Sequence, residues 1–185
     1  MKISTILCLT LFIVFGIPSF GQKANPSRSE TETWLLEKMN KYVAKNSIDC
    51  NKLLPGDNSF NNKTTDCSTY TNVSFSFSGD NLLISSSVKK TEYHDNGNVE
   101  TNFTRKITIP LYDLSYDFYI TTNSLFFSTK YSAIKVDDSN GKSSKQSSFS
   151  LWFNTNEEED FKTRFDKAMN HLRTFVKKPK SNEAF

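Results

Sequence analysis

The stretch SSFSLWFNTNEEEDFKTRFDKAMNHLRTFVKK, residues 147–178, predicts a strand that is followed at once by a helix. In its first part Phe149, Leu151 and Phe153 recur at every second position, so one face of a strand is apolar. In its second part apolar residues recur at the helical period of about 3.6 and form one continuous stripe. The stripe consists of Phe161, Phe165, Ala168, Met169, Leu172, Phe175 and Val176. We therefore expect a C-terminal helix that closes the apolar face of a sheet.

Two capping boxes mark the predicted start of this helix. Thr155 with Glu158, and Asn156 with Glu159, both have the spacing at which an N-cap residue and its third successor exchange hydrogen bonds. The sequence therefore predicts a helix from Glu157 to Lys178.

The two ends of the predicted helix carry opposite charges. The acidic run 157–160 falls in its first turn, and basic residues occupy its last turn and the following tail. Those basic residues are Arg173, Lys177, Lys178 and Lys180. Both signs complement the helix macrodipole, so we interpret both clusters as structural. The alternative is a weak contact of the basic end with anionic lipid or an acidic partner.

A second amphipathic helix is predicted near the start of the mature chain. Ser29 and Glu32 have capping-box spacing, and the helix is expected from Glu30 to Asn46 with Trp34 at the edge of its apolar face. Its apolar stripe consists of Leu35, Leu36, Met39, Tyr42 and Val43.

Between the two helices the sequence has the two-residue period of strands, from about Thr69 onward. Residues 125–136 are predicted as one strand whose alternation slips at Phe126 and Phe127, which indicates a bulge or burial on both faces. Nothing resembles the crossover helices that a parallel sheet requires. Hairpin turns are predicted at residues 79–81, 95–98 and 138–141. We predict an α+β fold: an antiparallel meander sheet or half-barrel of six to seven strands, closed by the C-terminal amphipathic helix, with an additional N-terminal helix.

This order of elements resembles the pleckstrin-homology-like half-barrel over about Thr69 to Lys178, through its short strands, the apolar stripe of the last helix and Trp152–Phe153 just before it. The resemblance implies a fold and no ligand. The β1–β2 loop that phosphoinositide-binding members use is basic, whereas residues 78–81 carry neither Lys nor Arg.

The first residues have the pattern of a secretory signal peptide. Met1-Lys2 is followed by an apolar run at residues 3–17, and Ser19 and Gly21 are the small residues before a predicted cut ahead of Gln22. An uncleaved anchor helix is the alternative, although the run is shorter than the roughly 20 residues that span a bilayer. The predicted organisation is a cleaved signal peptide at 1–21, a disordered stub at 22–28, a single domain at 29–178 and a tail at 179–185.

Composition and charge limit the classes of protein to which the chain can belong. The chain resembles exported proteins of Bacteroidetes-type bacteria in its Asn, Ser, Thr, Lys and Phe content and in the Ser-Phe-Gly-Gln that ends its signal. We therefore expect a periplasmic or extracellular location, with no integral membrane segment after cleavage. The net charge of +3 is too balanced to indicate a nucleic-acid partner.

After cleavage two cysteines remain, Cys50 and Cys67, because Cys8 lies in the signal peptide. They flank a turn-rich segment, residues 48–67, that is predicted to be a loop. In an exported chain such a pair favours a disulfide over a metal site.

Candidate catalytic residues are few. His94 lies beside Glu92 near a hairpin tip, and His171 falls on the polar side of the last helix. We expect both histidines to be solvated surface residues, and we expect no metal and no cofactor, because no nucleophile elbow, phosphate-binding loop or metal-ligand motif occurs. A hydrolase would instead show a cleft that gathers Glu92, His94 or Asp113.

Trp152 is the one candidate binding residue. It lies on the face of its strand opposite to the apolar residues, so the first helix either covers it or leaves it open as a binding contact. We expect cover, because that helix needs an apolar surface.

The function favoured by these observations is an exported, non-catalytic binding or interaction module whose ligand is an unknown protein or small molecule. The alternatives are a structural or accessory component of the cell envelope and, after that, a hydrolase with scattered residues.

Overall fold

The computed structural model describes residues 26–50, 65–94, 96–119, 123–154, 158 and 160–177. Within these ranges the chain forms two helices and nine strands. Their bounds are α1 Arg28–Tyr42, β1 Asn46–Cys50, β2 Thr65–Ser78, β3 Asn81–His94, β4 Gly97–Pro110, β5 Leu114–Tyr119, β6 Ser124–Thr129, β7 Ile134–Asp138, β8 Ser143–Gln146, β9 Ser148–Trp152 and α2 Phe161–Thr174. The predicted signal peptide at 1–21 and tail at 179–185 lie outside the described residues.

The strands form two antiparallel sheets, which confirms the predicted α+β class. Strands β1 to β4 are a meander, and β7 and β8 complete a six-stranded sheet in the order β1-β2-β3-β4-β7-β8. The remaining strands form a three-stranded sheet in the order β5-β6-β9. The chain therefore leaves the first sheet after β4, returns for β7 and β8, and leaves again for β9, instead of continuing one sheet.

The prediction of a single strand at 125–136 is wrong. Strand β6 ends at Thr129, and β7 begins at Ile134 in the other sheet, after a tight turn in which Ser132 has a positive φ of 51°. The alternation within β6 is regular. Phe127 faces the core, and the half-buried ring of Phe126 contacts Tyr119 on the opposite face.

The core lies between the two sheets and the two helices. Phe75 and Phe153 join the sheets, with ring centres 5.9 Å apart. Phe118 of β5 contacts both buried phenylalanines of the first turns of α2, Phe161 at 5.6 Å and Phe165 at 5.1 Å. Because these edge-on ring pairs are buried, they fix α2 against the three-stranded sheet.

Helix α2 begins four residues later than the sequence predicted. Its N-cap is Asp160, whose side chain makes no capping bond, and Phe175 already lies beyond its last turn. Thr155, Asn156, Glu157 and Glu159 of the predicted capping boxes lie outside the described residues.

The interpretation of the acidic run as first-turn charge is wrong for Glu158, which precedes the helix. Its carboxylate accepts hydrogen bonds from Lys38 Nζ at 2.7 Å and from the Tyr42 hydroxyl at 2.6 Å, and it pairs with Arg164. Glu158 therefore ties α1 to α2. At the other end Arg173 does lie in the last turn, as predicted, and donates to the Leu114 carbonyl. Lys178 and Lys180 lie outside the described residues.

Helix α1 begins at Arg28, with Ser27 and Glu30 as its capping box, so the predicted box of Ser29 and Glu32 is wrong. The end of the predicted stub is therefore ordered, and Arg28 also donates to Asp80 at 2.8 Å. The helix ends at Tyr42 rather than at residue 46 because Val43 is already extended and bridges to Phe153.

The predicted disulfide between Cys50 and Cys67 is confirmed. The two residues face each other in the ladder of β1 and β2, with their Cα atoms 4.1 Å apart. The prediction of a loop from residue 48 is wrong at both ends, because β1 continues to Cys50 and β2 begins at Thr65. Residues 51–64, between the strands, lie outside the described residues.

The buried stripe of α2 should be essential for stability. Phe165 and Leu172 have no exposed surface, so Phe165→Ala or Leu172→Ala should lower the free energy of unfolding by about 2–5 kcal/mol through lost burial and a cavity. Phe175 belongs to the predicted stripe but is 38% exposed, and Phe175→Ala is the matched control with a smaller effect. Urea denaturation measures all three variants. Equal losses for Phe165→Ala and Phe175→Ala would contradict this packing.

The contacts of Glu158 with Lys38, Tyr42 and Arg164 should make the folded state less stable at low pH. The hydrogen bond from Lys38, then that from Tyr42, lower the pKa of Glu158 from an ordinary 4.5 to about 2. Because the folded-state pKa is the lower one, this stabilisation is complete above pH 4.5 and is lost as the pH falls towards 2. Melting temperatures of Glu158→Gln should fall less steeply across this interval than those of the wild type. Glu37→Gln, on the exposed side of α1, is the control, and parallel curves for wild type and Glu158→Gln would refute the assignment.

Candidate functional site

The inward face of the six-stranded sheet changes from apolar to charged along its longest strands. On β3 the buried Ile84 and Val88 are followed, at the same two-residue period, by Lys90 and Glu92. On β4 the inward residues run from Ile107 through Arg105 to Thr101 in the opposite direction, since the strands are antiparallel. Charged side chains thus collect at one end of the face whose other end is core.

These side chains line a cavity of about 330 Å³, here called the inner-face pocket. Strands β1, β2, β3, β4, β7 and β8 all contribute to it. Its lining consists of Asp49, Asp66, Ser68, Tyr70, Lys90, Glu92, Thr101, Phe103, Arg105, Asp138, Asn140, Lys142 and Gln146.

Arg105 is held at the core end of the pocket by three hydrogen bonds. Its guanidinium donates to both carboxylate oxygens of Asp138, at 2.7 and 2.9 Å, and to the Tyr70 hydroxyl at 2.8 Å. The Asp138 side chain is only 8% exposed, so the pair is well shielded from water. The hydrogen bond that Arg105 donates to Asp138 raises the pKa of Arg105, and burial raises the pKa of Tyr70. This end of the pocket is a rigid, neutral ion pair.

Lys90 bridges two carboxylates at the outer end of the pocket. Its ammonium lies 2.8 Å from Asp66 and 2.5 Å from Glu92, which oppose each other across β2 and β3. The hydrogen bond from Lys90 holds the pKa of Glu92 below its ordinary value. One Asp66 oxygen is buried and has no hydrogen-bond partner among the described residues. One cation thus serves two carboxylates here, which leaves local negative charge.

Two charges of the lining form no ion pair with any described residue. Asp49 comes from β1, at one edge of the sheet, and Lys142 follows the turn after β7, near the other. The pocket therefore has an acidic side at β1 and a basic side at the β7–β8 turn, and the charges between them are ion-paired with one carboxylate in excess beside Lys90.

The catalytic candidates from the sequence do not converge. Glu92 lines the inner-face pocket. His94 is outside the lining, with its Nε2 3.7 Å from a carboxylate oxygen of Glu92. Asp113 accepts from the Lys130 backbone beside a different cavity. His171 is half-buried on α2, with its Nε2 2.7 Å from the Pro26 carbonyl oxygen and its ring edge-on to Phe175. In the described ranges, moreover, no three His, Cys, Asp or Glu residues are grouped closely enough to hold a metal ion.

The expectation that α1 covers Trp152 is wrong. The indole is 43% exposed, on the outer face of the three-stranded sheet, where Trp152 pairs with Ser124 in the ladder. The backbone of Trp152 does meet the chain just after α1, through bonds with Ala44 and Ser47. The apolar side of α1 itself packs against α2 and β2.

The inner-face pocket was missed at the level of sequence, although a signal was present. Lys90 and Arg105 each have a core residue two positions away, Val88 and Ile107, and such positions normally carry apolar side chains; Glu92 continues the face of Lys90. A charged residue at such an inward-facing position indicates either a buried ion pair or a binding site.

Searches against protein families, curated proteins and solved structures gave no match to the chain. Neither of the two described helices has the length and apolarity needed to cross a membrane.

The exposure of Trp152 can be measured directly. Replacing Trp34 by Phe leaves one indole, whose fluorescence should be strongly quenched by acrylamide because nearly half of its surface is open. Trp152→Ala should change the free energy of unfolding by less than about 1 kcal/mol for the same reason. The Trp152→Phe protein, in which only Trp34 reports, is the comparison, since Trp34 is partly buried against the core and lies beneath Lys38 and Arg164. Weak quenching of Trp152 would reinstate the covered arrangement.

Proposed function

We propose that the protein is an exported, non-catalytic binding module that holds a small polar ligand in the inner-face pocket. The observation that carries this proposal is the change from apolar to charged residues on one continuous sheet face, around a cavity of about 330 Å³. That volume is within the range typical of small-molecule sites. The disulfide between Cys50 and Cys67 supports a periplasmic or extracellular location, because such bonds persist in oxidising compartments.

The charges of the pocket favour a zwitterionic ligand. Arg105 and Lys90 are occupied by carboxylates of the protein, whereas Asp49 and Lys142 form no ion pair with described residues. A ligand with an ammonium group for Asp49 and a carboxylate for Lys142 would neutralise both. Free amino acids and short peptides have this chemistry.

The same contacts support a binding role over a catalytic one. A general acid needs a pKa near the working pH, and the pKa of Glu92 is shifted in the opposite direction by Lys90. Arg105 and Asp138 are already fixed by each other, which suits recognition by preorganised groups.

Nuclear magnetic resonance titration tests the proposal with three sets of probes. Free amino acids are zwitterions, their methyl esters are cations and their N-acetyl derivatives are anions. We expect the zwitterions to shift the amide signals of the pocket strands at lower concentrations than either derivative. Asp49→Asn and Lys142→Gln should each weaken binding by about two- to fivefold, as expected for exposed charges.

Asp117→Asn is the matched control, because this carboxylate lies on the opposite face of β5 from the core and outside the pocket. Its binding should equal that of the wild type. Equal responses to all three probe sets, or shifts that avoid the pocket residues, would overturn the assignment.

A further inference from the structure

Strand β4 is paired along its whole length on one side and only in part on the other. On the first side β3 pairs with every residue from Gly97 to Pro110. On the other side β7 pairs only with residues 105–108, and Ser139 adds a pair of bonds to Thr104. From Gly97 to Phe103, no strand in the described part of the chain lies along this second side.

The direction of the free backbone groups follows from the alternation of an antiparallel strand. Thr104 uses both its N–H and its C=O towards Ser139, at 3.0 and 2.9 Å, so its backbone groups face the side of β7. The backbone N–H and C=O groups of every second residue face the same way, so those of Asn98, Glu100 and Asn102 lie at the open edge. The pairing of His94 with Gly97 at the hairpin end agrees, because the closing pair of a tight hairpin bonds inward. Three N–H and three C=O groups therefore form a row with a repeat of about 7 Å.

The described residues 97–103 carry only one of the usual protections against strand pairing, the charged side chain of Glu100. Proteins blunt open edges with Pro, with Lys on the edge strand, or with bulges. Residues 97–103 contain no Pro and no Lys, and their register with β3 is unbroken. All of them except Phe103 are exposed, and Val99 exposes 51% of its surface.

We propose that the edge from Asn98 to Asn102 binds an extended segment of another protein as an added antiparallel strand. The added strand would take the place in the ladder that β7 leaves after Asp138. This interaction is separate from the inner-face pocket, and it is the fixed protein contact that an accessory component of an envelope would need.

The charge of Glu100 indicates which kind of segment the edge can bind. The side chain at the centre of the edge is Glu100, whose ion pair with Lys89 is half exposed and hence weak. A partner residue directly opposite Glu100 lies on the same face, so Lys or Arg there is favourable and an acidic residue is not. In the register that uses all three edge residues, a second copy would place Glu100 opposite Glu100. The edge therefore fits a foreign segment with a basic residue better than it fits another copy of this chain.

Amide hydrogen exchange with a designed probe tests the proposal. The probe is the capped peptide Thr-Val-Lys-Val-Thr, and the same peptide with Glu in place of Lys is its control. The Lys probe should slow exchange of the Asn98, Glu100 and Asn102 amides and leave those of Val99 and Thr101 unchanged, since the latter already bond to β3. The Glu probe should bind at least about threefold more weakly, as expected for like charges in direct opposition.

Two substitutions at Glu100 separate backbone from charge. Glu100→Pro removes one edge N–H, and Pro is tolerated where that group faces outward, so the variant should fold while its affinity for the Lys probe falls at least about tenfold. Glu100→Gln keeps the N–H and should lose only the preference for Lys over Glu. Thr101→Pro, which removes a bond to β3, should lower the melting temperature far more than Glu100→Pro.

Three results would overturn the proposal. One is unchanged affinity of Glu100→Pro for the Lys probe, and another is no protection, or protection without the alternation, at saturating probe. The third is sedimentation of the wild type as a dimer that Glu100→Pro converts to a monomer, because a second copy would then be the occupant.

Discussion

The two-residue period of β2, β3 and β4 is the constraint on which the rest of the structure depends. In an antiparallel strand, whether a residue stands at an odd or an even position fixes two things: the sheet face of its side chain and the neighbouring strand to which its backbone groups point. Because Val88 and Ile107 must face the core, Lys90 and Arg105 must face the same way. The core and the inner-face pocket are therefore consecutive parts of one sheet face. Lys90 and Arg105 could face the other side only if the strands shifted register by one residue, and that shift would expose the core residues.

The aromatic cluster around Phe118 determines where the helices lie. Phe161 contacts Phe118 and also Tyr42, at 4.8 Å, so one ring joins the three-stranded sheet to both helices. Tyr42 in turn donates to Glu158, which sets the approach of the chain to α2. With α1 engaged in this way, neither of the two described helices covers Trp152, which is 43% exposed on the outer face of the three-stranded sheet.

The sequence predicts those features that a strong local period or a small set of alternatives determines. The apolar stripe through Phe165 and Leu172, the faces of β9 and the pairing of the two mature cysteines are all of this kind. Helix starts are harder, because capping-box spacing occurs at Ser29 as well as at Ser27 and the spacing alone does not distinguish them. The structure begins the helix after Ser27, where Arg28 also donates to Asp80. The split between β6 and β7 and the exposure of Trp152 depend on which sheet each strand joins. That choice is made by long-range packing, as is the meeting of Arg105 with Asp138 and Tyr70 in the pocket.

Parity also separates the two surfaces that meet on β4. Thr101 and Phe103 direct side chains into the inner-face pocket and bond to β3, whereas Asn98, Glu100 and Asn102 direct side chains outward and backbone groups to the open edge. A substitution at Glu100 thus changes the edge and leaves the pocket lining intact. A strand bound at the edge would nevertheless lie beside Thr101 and Phe103 and would extend the pocket wall by one strand spacing, about 4.8 Å. Thr101 and Phe103 thus belong to the pocket lining and lie beside the open edge, so they are positions where partner and ligand binding can influence each other.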